Sequence, residues 1–179
     1  MIRKILIIAC FAVLVGCAPR AYTADAEKKE AKPDPHSVEY LGFLFKFSEC
    51  RMIKDKISCD VMVTNKGEER TLIATAEEKS LFTERDTYTS RIFDNLGNEY
   101  YAKRIRFGAK ESIKPQTLLL KTVPTKVTLS FSGINPEPKT INILEVGFLS
   151  KEHGVFKVWF RDIKLVKSAA ATEKEKTAK

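Results

Sequence analysis

The sequence predicts an all-β domain, and we expect an antiparallel sandwich of two sheets with about eight or nine strands. Three observations lead to this prediction. Several segments alternate apolar and polar residues with a period of two, which is typical of half-buried strands. Short clusters of Gly, Asn, Asp and Pro separate these segments. No long segment has the periodicity of an amphipathic helix. A small barrel is the alternative arrangement for such strands.

The clearest alternation lies in the first half of the predicted domain. Phe43, Phe45 and Phe47 share one face of the first strand, and Cys59 and Val61 share one face of the second. The predicted strands cover residues 41–48, 57–64, 70–76, 90–93, 99–107, 117–123, 126–131, 141–148 and 155–166.

Two turns are marked by their residue types. Asn65-Lys66-Gly67 ends the second predicted strand. The segment 94–98 lies between the fourth and fifth strands, and its Gly97 is placed where a tight turn needs a positive φ angle. We therefore expect reversals of the chain at both places.

The first residues have the layout of a secretory signal rather than of a folded element. Arg3 and Lys4 form a short positive region, and residues 5–15 follow as an apolar run without charge. This run is too short to span a bilayer, which takes about 20 apolar residues. Residues 1–16 are therefore predicted to be a signal peptide.

The end of the apolar run, Leu14-Val15-Gly16-Cys17, resembles the lipobox of bacterial lipoproteins. The resemblance implies that Cys17 is linked to diacylglycerol, that the signal is cut before it, and that the new amino end is acylated. Two or three acyl chains anchor a protein stably in a membrane, whereas a single chain is marginal. Ala18 in place of Asp matches the outer-membrane sorting pattern, so we expect an envelope protein on the periplasmic face of the outer membrane. The alternative is a plain secretory signal, cut near Ala18.

The cysteine count agrees with export. The chain has four cysteines, of which Cys10 leaves with the signal and Cys17 takes lipid. Cys50 and Cys59 remain, an even number in an oxidising compartment. Their spacing suits two neighbouring antiparallel strands, so we predict a Cys50–Cys59 disulfide that pins a hairpin or an edge. Two buried thiols are the alternative.

The 179 residues provide for one domain of ordinary size. Residues 17–37, rich in Lys, Glu and Pro, are predicted to be a flexible tether after the lipidated cysteine. Residues 38–167 form the predicted β-domain. Residues 168–179 are predicted to be a disordered, charged tail, because they hold no apolar stripe that could dock.

The sequence lacks the motifs of common catalytic and cofactor sites. There is no Gly-x-Ser-x-Gly, no Ser-x-x-Lys and no phosphate-binding Gly-rich loop. His36 and His153 are the two histidines, without cysteine pairs beside them, so no metal site is expected. We therefore predict no enzyme activity, no catalytic residue and no cofactor. Scattered acidic pairs such as Glu68-Glu69 leave an enzyme using carboxylates as the least favoured class.

One segment and one tryptophan remain as candidates for a binding surface. The segment 100–107 mixes aromatic and basic residues. Packing at the core and edge of a sheet is the favoured interpretation of this segment, and if it forms a binding surface, Lys103, Arg104 and Arg106 are the first candidates. Trp159 is the second, and the sequence leaves open whether its ring is exposed at a contact surface or buried. The formal net charge of +8 could favour anionic surfaces, but the basic residues are scattered, so solubility is the preferred interpretation of this charge. An envelope location argues against nucleic acid.

The predicted domain also resembles, as a whole, the small immunoglobulin-like β-sandwich domains of bacterial lipoproteins of unknown function. The resemblance is carried by Cys50 with residues 59–65, by residues 94–100, and by residues 123–125 ahead of 129–131. It implies a two-sheet immunoglobulin-like antiparallel sandwich, a role in binding or assembly, and no catalytic residues.

Together these patterns predict a lipid-anchored envelope protein that acts as a non-catalytic binding or assembly module. Its partners are expected to be the membrane, through lipid on Cys17, and a protein of the envelope. A structural or surface-exposed lipoprotein, such as a spacer or adhesin, is the alternative.

Overall fold

A computed structural model of the chain describes residues 34, 36–76 and 88–167. The predicted signal peptide 1–16, Cys17, the tether up to residue 33 and the tail 168–179 lie outside the described residues.

The described residues form an all-β fold of twelve strands, as the alternation predicts, and none of them lies in a helix. No helix in the described part is therefore long and apolar enough to cross a membrane. The strands are β1 Ser37–Tyr40, β2 Phe43–Ile53, β3 Lys56–Asn65, β4 Arg70–Thr75, β5 Arg91–Asp94, β6 Glu99–Tyr101, β7 Arg104–Phe107, β8 Lys110–Ser112, β9 Gln116–Leu119, β10 Pro124–Ser132, β11 Thr140–Ser150 and β12 Gly154–Lys167.

The predicted number of eight or nine strands was too low for two physical reasons. β1 and β8 have only four and three residues and bury no apolar side chain fully, so they give almost no alternation. The predicted strand 99–107 is two strands, because β6 pairs with β5 whereas β7 pairs with β10. Lys103 lies at the break, with its backbone N–H donating to the Ser130 carbonyl at 2.8 Å.

The strands pair in the order β6-β5-β11-β12-β2-β3-β10-β7-β8, with β1 on β2, β4 on β11 and β9 on β4. All strand pairs are antiparallel except β12 and β2, which run parallel. The prediction of a purely antiparallel sheet was therefore wrong at this pair. Through this pair, β12 joins two sets of strands. One set is β6, β5, β11, β4 and β9, and the other is β1, β2, β3, β10, β7 and β8.

β12 makes this connection by changing partners along its length. Residues 154–164 pair with β11, and residues 165–167 pair with residues 50–52 of β2. The register with β11 skips Asp162, whose φ angle of 54° lies in the left-handed region. Such irregularities bend a strand.

The core is apolar and rich in phenylalanine. Phe43, Phe45, Phe148 and Phe160 are fully buried. The Phe45 and Phe148 rings lie 5.1 Å apart between centroids, and Phe156 lies 5.7 Å from Phe148. Ring pairs at these distances contribute beyond the apolar area that they bury.

The predicted Cys50–Cys59 disulfide is present and pins a hairpin. The two cysteines lie directly opposite each other on β2 and β3, with their Cα atoms 4.1 Å apart, and both are fully buried. The predicted turn at residues 94–98 also forms, and β3 ends at Asn65 as predicted, although β3 and β4 do not pair with each other. Gly97 has a φ angle of 86°, and Oδ1 of Asp94 accepts hydrogen bonds from the backbone N–H groups of Leu96 and Asn98.

Candidate binding surface

The predicted basic residues lie at one end of the strand order and are matched by an acid. Arg104 and Arg106 are exposed on β7, beside Glu111 on β8. The Arg106 guanidinium donates to Oε2 of Glu111 from Nη2 at 2.8 Å and from Nε at 3.1 Å. These hydrogen bonds hold the pKa of Glu111 below its usual value. Both side chains are exposed, so solvent screens the attraction between Arg106 and Glu111.

Trp159 lies elsewhere, and the structure decides the alternative that the sequence left open. Its side chain is on β12, which β2, β3 and β10 separate from β7 in the strand order. It is 51% exposed, and its indole N–H donates to Oε1 of Glu145 at 3.1 Å. The four predicted candidates therefore do not form one site.

Trp159 belongs to a row of paired side chains that sequence reasoning missed. Trp159 pairs with Glu145 of β11, Glu145 pairs with Arg91 of β5, and Arg91 pairs with Tyr101 of β6. Directly paired residues point to the same face of a sheet. The register between neighbouring strands brings these residues together. The alternation of polarity along a single strand does not reveal that register.

Glu145 is the centre of this row. Its Oε2 accepts from Nε of Arg91 at 2.6 Å and from Nζ of Lys157 at 3.1 Å, while Oε1 accepts from Trp159. Burial raises the pKa of Glu145, but the hydrogen bonds from Arg91, Lys157 and Trp159 outweigh burial and leave the pKa below its usual value. The hydrogen bond between Arg91 and Glu145 also raises the pKa of Arg91. An ionised Glu145 thus holds the exposed indole in place.

A groove lies beside Trp159, between β1 and β12. We call it the β1/β12 groove. Its apolar part is a cavity of about 380 Å³ lined by Val38, Tyr40, Val155, Phe156, Lys157, Val158 and Trp159. Its polar part is a cavity of about 440 Å³ lined by His36, Trp159, Arg161 and Asp162. The Tyr40 ring lies 5.7 Å from the Phe156 ring, so the aromatic core continues into the groove wall.

Two strand edges border this groove. Among the described strands, β1 pairs with β2 alone, and residues 154–161 of β12 pair with β11 alone. β1 is antiparallel to β2 and β12 is parallel to it, so the two edges run antiparallel to each other. The backbone N–H and C=O groups on these edges have no strand partner among the described residues.

The described residues hold no cluster of three or more His, Cys, Asp or Glu side chains arranged for a metal ion. His153 lies in the turn before β12, where its Nε2 is 3.1 Å from Nη1 of Arg70. His36 packs beside Phe47, with ring centroids 5.3 Å apart. The two histidines therefore occupy separate places in the fold.

Comparison with known proteins gives no family. No family model matches the chain, and no curated protein matches it. Among solved structures, the N-terminal domain of PorA aligns at 8% identity over 64% of this chain and 83% of that chain, with a TM-score of 0.32. AvmM, described as catalysing macrocyclization in alchivemycin A biosynthesis, aligns at 10% identity over 76% of this chain and 100% of that chain, with a TM-score of 0.25. At such low TM-scores, neither likeness assigns a fold family or a function.

Proposed function

We propose that this chain is a lipid-anchored protein of the bacterial cell envelope that acts as a non-catalytic binding or assembly module. The β1/β12 groove is its binding surface. The observation that carries this assignment is Trp159, a half-exposed indole fixed by Glu145 beside a groove with an aromatic wall. Tryptophan is enriched among the few residues that contribute most of the binding free energy at protein interfaces.

The fold in this proposal is the immunoglobulin-like sandwich that the sequence predicts. Its two sheets are the two sets of strands that β12 joins. The irregularity at Asp162, shortly before β12 changes partner between Lys164 and Leu165, supports this interpretation, because strands that pass between sheets bend at such irregularities. Sandwiches of this kind present edges and loops to partners.

The anchor in this proposal is lipid on Cys17, with the domain facing the periplasm from the outer membrane. The lipobox-like residues 14–17 support it. The Cys50–Cys59 disulfide agrees with it, because structural disulfides persist in oxidising compartments such as the periplasm.

The Cys17→Ala variant tests the anchor. We expect the wild-type chain in the membrane fraction, with a mass raised by the diacylglyceryl and acyl groups. The variant is expected in the soluble fraction, without that added mass. A variant that stays in the membrane with the mass of the wild type would refute lipidation at Cys17.

The binding role is tested by crosslinking in intact cells from a photoreactive amino acid at a single position. We expect one partner at reproducible yield from position 155 in the groove, and little or none from position 104 on β7. A partner captured from position 104 alone would keep the binding role but move the surface. Absence of a partner from both positions would refute the module and favour a spacer or adhesin.

A further inference from the structure

We propose that the β1/β12 groove binds an uncharged saccharide that carries N-acetyl groups, with one sugar ring packed on the indole of Trp159. This inference rests on the proposed function, because it names the chemical class of ligand that the proposed binding surface takes. A fixed aromatic ring, a balanced pair of charges beside it and an apolar cavity at the same ring carry the inference.

The indole of Trp159 is a fixed, half-exposed aromatic surface. It is 51% exposed, and its N–H donates to Oε1 of Glu145 at 3.1 Å. Glu145 is held in turn by Arg91 and Lys157, so the ring cannot turn without losing a hydrogen bond to a fixed partner. The N–H is therefore used within the protein, and a ligand meets the carbon surface of the ring. The face of an aromatic ring is electron-rich, and the polarised C–H groups of a sugar ring pack against such a face.

The polar cavity beside this ring offers hydrogen bonds of both kinds. It has a volume of about 440 Å³ and is lined by His36, Trp159, Arg161 and Asp162. The guanidinium of Arg161 only donates, whereas the carboxylate of Asp162 only accepts. Neither side chain has a hydrogen bond or an ion pair within the described part of the chain, so both can bind a ligand.

The charges that line the groove are balanced. Arg161 and Asp162 cancel each other in the polar cavity, and Lys157 in the apolar cavity is paired with Glu145, with 3.1 Å between Nζ and Oε2. An ion of either sign would meet one like charge in the polar cavity. A hydroxyl group, in contrast, accepts from Arg161 and donates to Asp162. The charge balance therefore favours an uncharged ligand with several hydroxyl groups, as a sugar ring has.

The backbone of β12 brings the aromatic and the polar side chains to one surface. Trp159 and Arg161 are exposed on either side of the buried Phe160, so they share the outer face of the strand, about 7 Å apart along it. In a regular strand Asp162 would point to the opposite face. Its φ angle of 54° breaks the alternation, and it lines the same cavity as Arg161. Backbone in this region at a non-glycine residue is concentrated at functional sites.

The apolar cavity explains why the saccharide should carry N-acetyl groups. Val38 and Val155 line this cavity, and of the described residues only Trp159 lines both cavities. A sugar ring packed on the indole therefore borders apolar and polar side chains at once. The hydroxyl groups of a simple hexose match the polar side alone. An acetamido substituent adds a methyl group that can be removed from water on the apolar side.

Three trisaccharides test this inference, because they share one β-1,4-linked backbone and differ only in the substituent at the second carbon. They are tri-N-acetylchitotriose with acetamido groups, cellotriose with hydroxyl groups and chitotriose with ammonium groups. Each is titrated into the lipidated full-length protein in a zwitterionic detergent, since a detergent with a sugar headgroup would compete. Trp159 reports binding through its emission, because it is the one tryptophan of the chain.

We expect tri-N-acetylchitotriose to shift the Trp159 emission to shorter wavelength and to bind about tenfold more tightly than cellotriose. Chitotriose should bind more weakly still, because its ammonium groups meet Arg161 and lack the acetyl methyl groups. By calorimetry, Trp159→Ala should abolish binding, and Arg161→Ala should weaken it about fivefold. The matched control is Leu96→Ala in the β5–β6 turn, which removes an equally exposed apolar side chain and should bind as wild type does.

The proposal is overturned if tri-N-acetylchitotriose does not shift the emission, if the three trisaccharides bind equally, or if Arg161→Ala binds as wild type does. Arg161 is exposed, so this variant tests the groove without disturbing the core. If the titrations fail while crosslinking from position 155 captures a protein, the binding module stands and the saccharide is the wrong ligand. If the titrations fail and neither crosslinking position captures a partner, the proposed function falls as well.

Discussion

Glu145 shows how one residue can order a surface. Its side chain is 12% exposed and accepts hydrogen bonds from three side chains on two neighbouring strands. A carboxylate that is removed from water is costly unless such partners compensate it. The three hydrogen bonds therefore do more than compensate the charge of Glu145. Because they share one carboxylate, they also fix the side chains of Arg91, Lys157 and Trp159 relative to one another.

The first prediction concerns the pH dependence that Glu145 causes. Its pKa is lower in the folded chain than the ordinary value of 4.5 expected on unfolding. It therefore contributes stability above pH 4.5, and this contribution is lost as the pH falls through the folded pKa. We expect Glu145→Gln to lower the free energy of unfolding at pH 7 by about 1–3 kcal/mol. The difference from wild type should narrow below pH 4.5.

Urea unfolding of both proteins between pH 7 and pH 3 measures this difference. Glu111→Gln is the matched control, since Glu111 also has a lowered pKa from an arginine contact but is exposed. It should follow the wild-type curve closely. A Glu145→Gln variant whose deficit stays constant down to pH 3 would contradict the assigned role of the carboxylate.

At the scale of the element, the β2–β3 hairpin is held both by backbone pairing and by a disulfide. The two strands pair over most of their length, and the disulfide joins them where Cys50 and Cys59 face each other. Cys50 and Cys59 are separated by nine positions in the sequence, so the crosslink closes a short loop.

The second prediction is that this disulfide contributes stability although its loop is short. We expect the double variant Cys50→Ala, Cys59→Ala to lower the free energy of unfolding by about 2–3 kcal/mol, as loop-closure entropy suggests for such a loop. Urea unfolding of the variant and of wild type, without reductant, checks this value. Wild type in reductant should resemble the variant, and equal stability of all three samples would show that the crosslink adds nothing.

The elements also show where prediction from sequence succeeds and where it fails. Alternation of buried Phe43 and Phe45 and of Cys59, Val61 and Val63 gave β2 and β3, because both strands bury one face in the core. β8 could not be found in this way, because all three of its residues are exposed. β1 was not predicted for a similar reason: two of its residues are partly buried, two are exposed, and none is fully buried.

At the scale of the whole molecule, β12 holds the two sets of strands together. Its residues 154–164 belong to one set, and residues 165–167 reach the other through the parallel pairing with β2. Ile163 is buried at this junction, with 1% of its surface exposed. The position of the β1/β12 groove follows from the same strand, because β12 leaves β11 for β2 only after Lys164.

The third prediction concerns this junction. Ile163→Ala should lower the free energy of unfolding by about 2–4 kcal/mol, because it leaves a cavity where the two sets of strands meet. Thermal and urea unfolding measure the change. Val166→Ala, three residues later on the same strand, removes a side chain that is 52% exposed and should change stability by less than about 0.5 kcal/mol. Equal losses in the two variants would show that Ile163 has no special role.

The sequence alone determined the all-β class, the hairpin with its disulfide, the turn at Gly97 and the expectation of a lipid anchor at Cys17. Each of these depends on residues that are close in the chain or on a local alternation of polarity. The candidate residue Trp159 was also found from the sequence, but its exposure was not.

Tertiary structure decided the rest, because the rest depends on which strands become neighbours. The row from Trp159 to Tyr101 takes residues from four strands, and its register cannot be read along any one of them. The groove exists because β1 and β12 both lie on the same side of β2 without pairing to each other. Arg104 and Arg106 lie far from Trp159 in the strand order for the same reason: strand pairing, and not distance along the chain, sets which side chains meet.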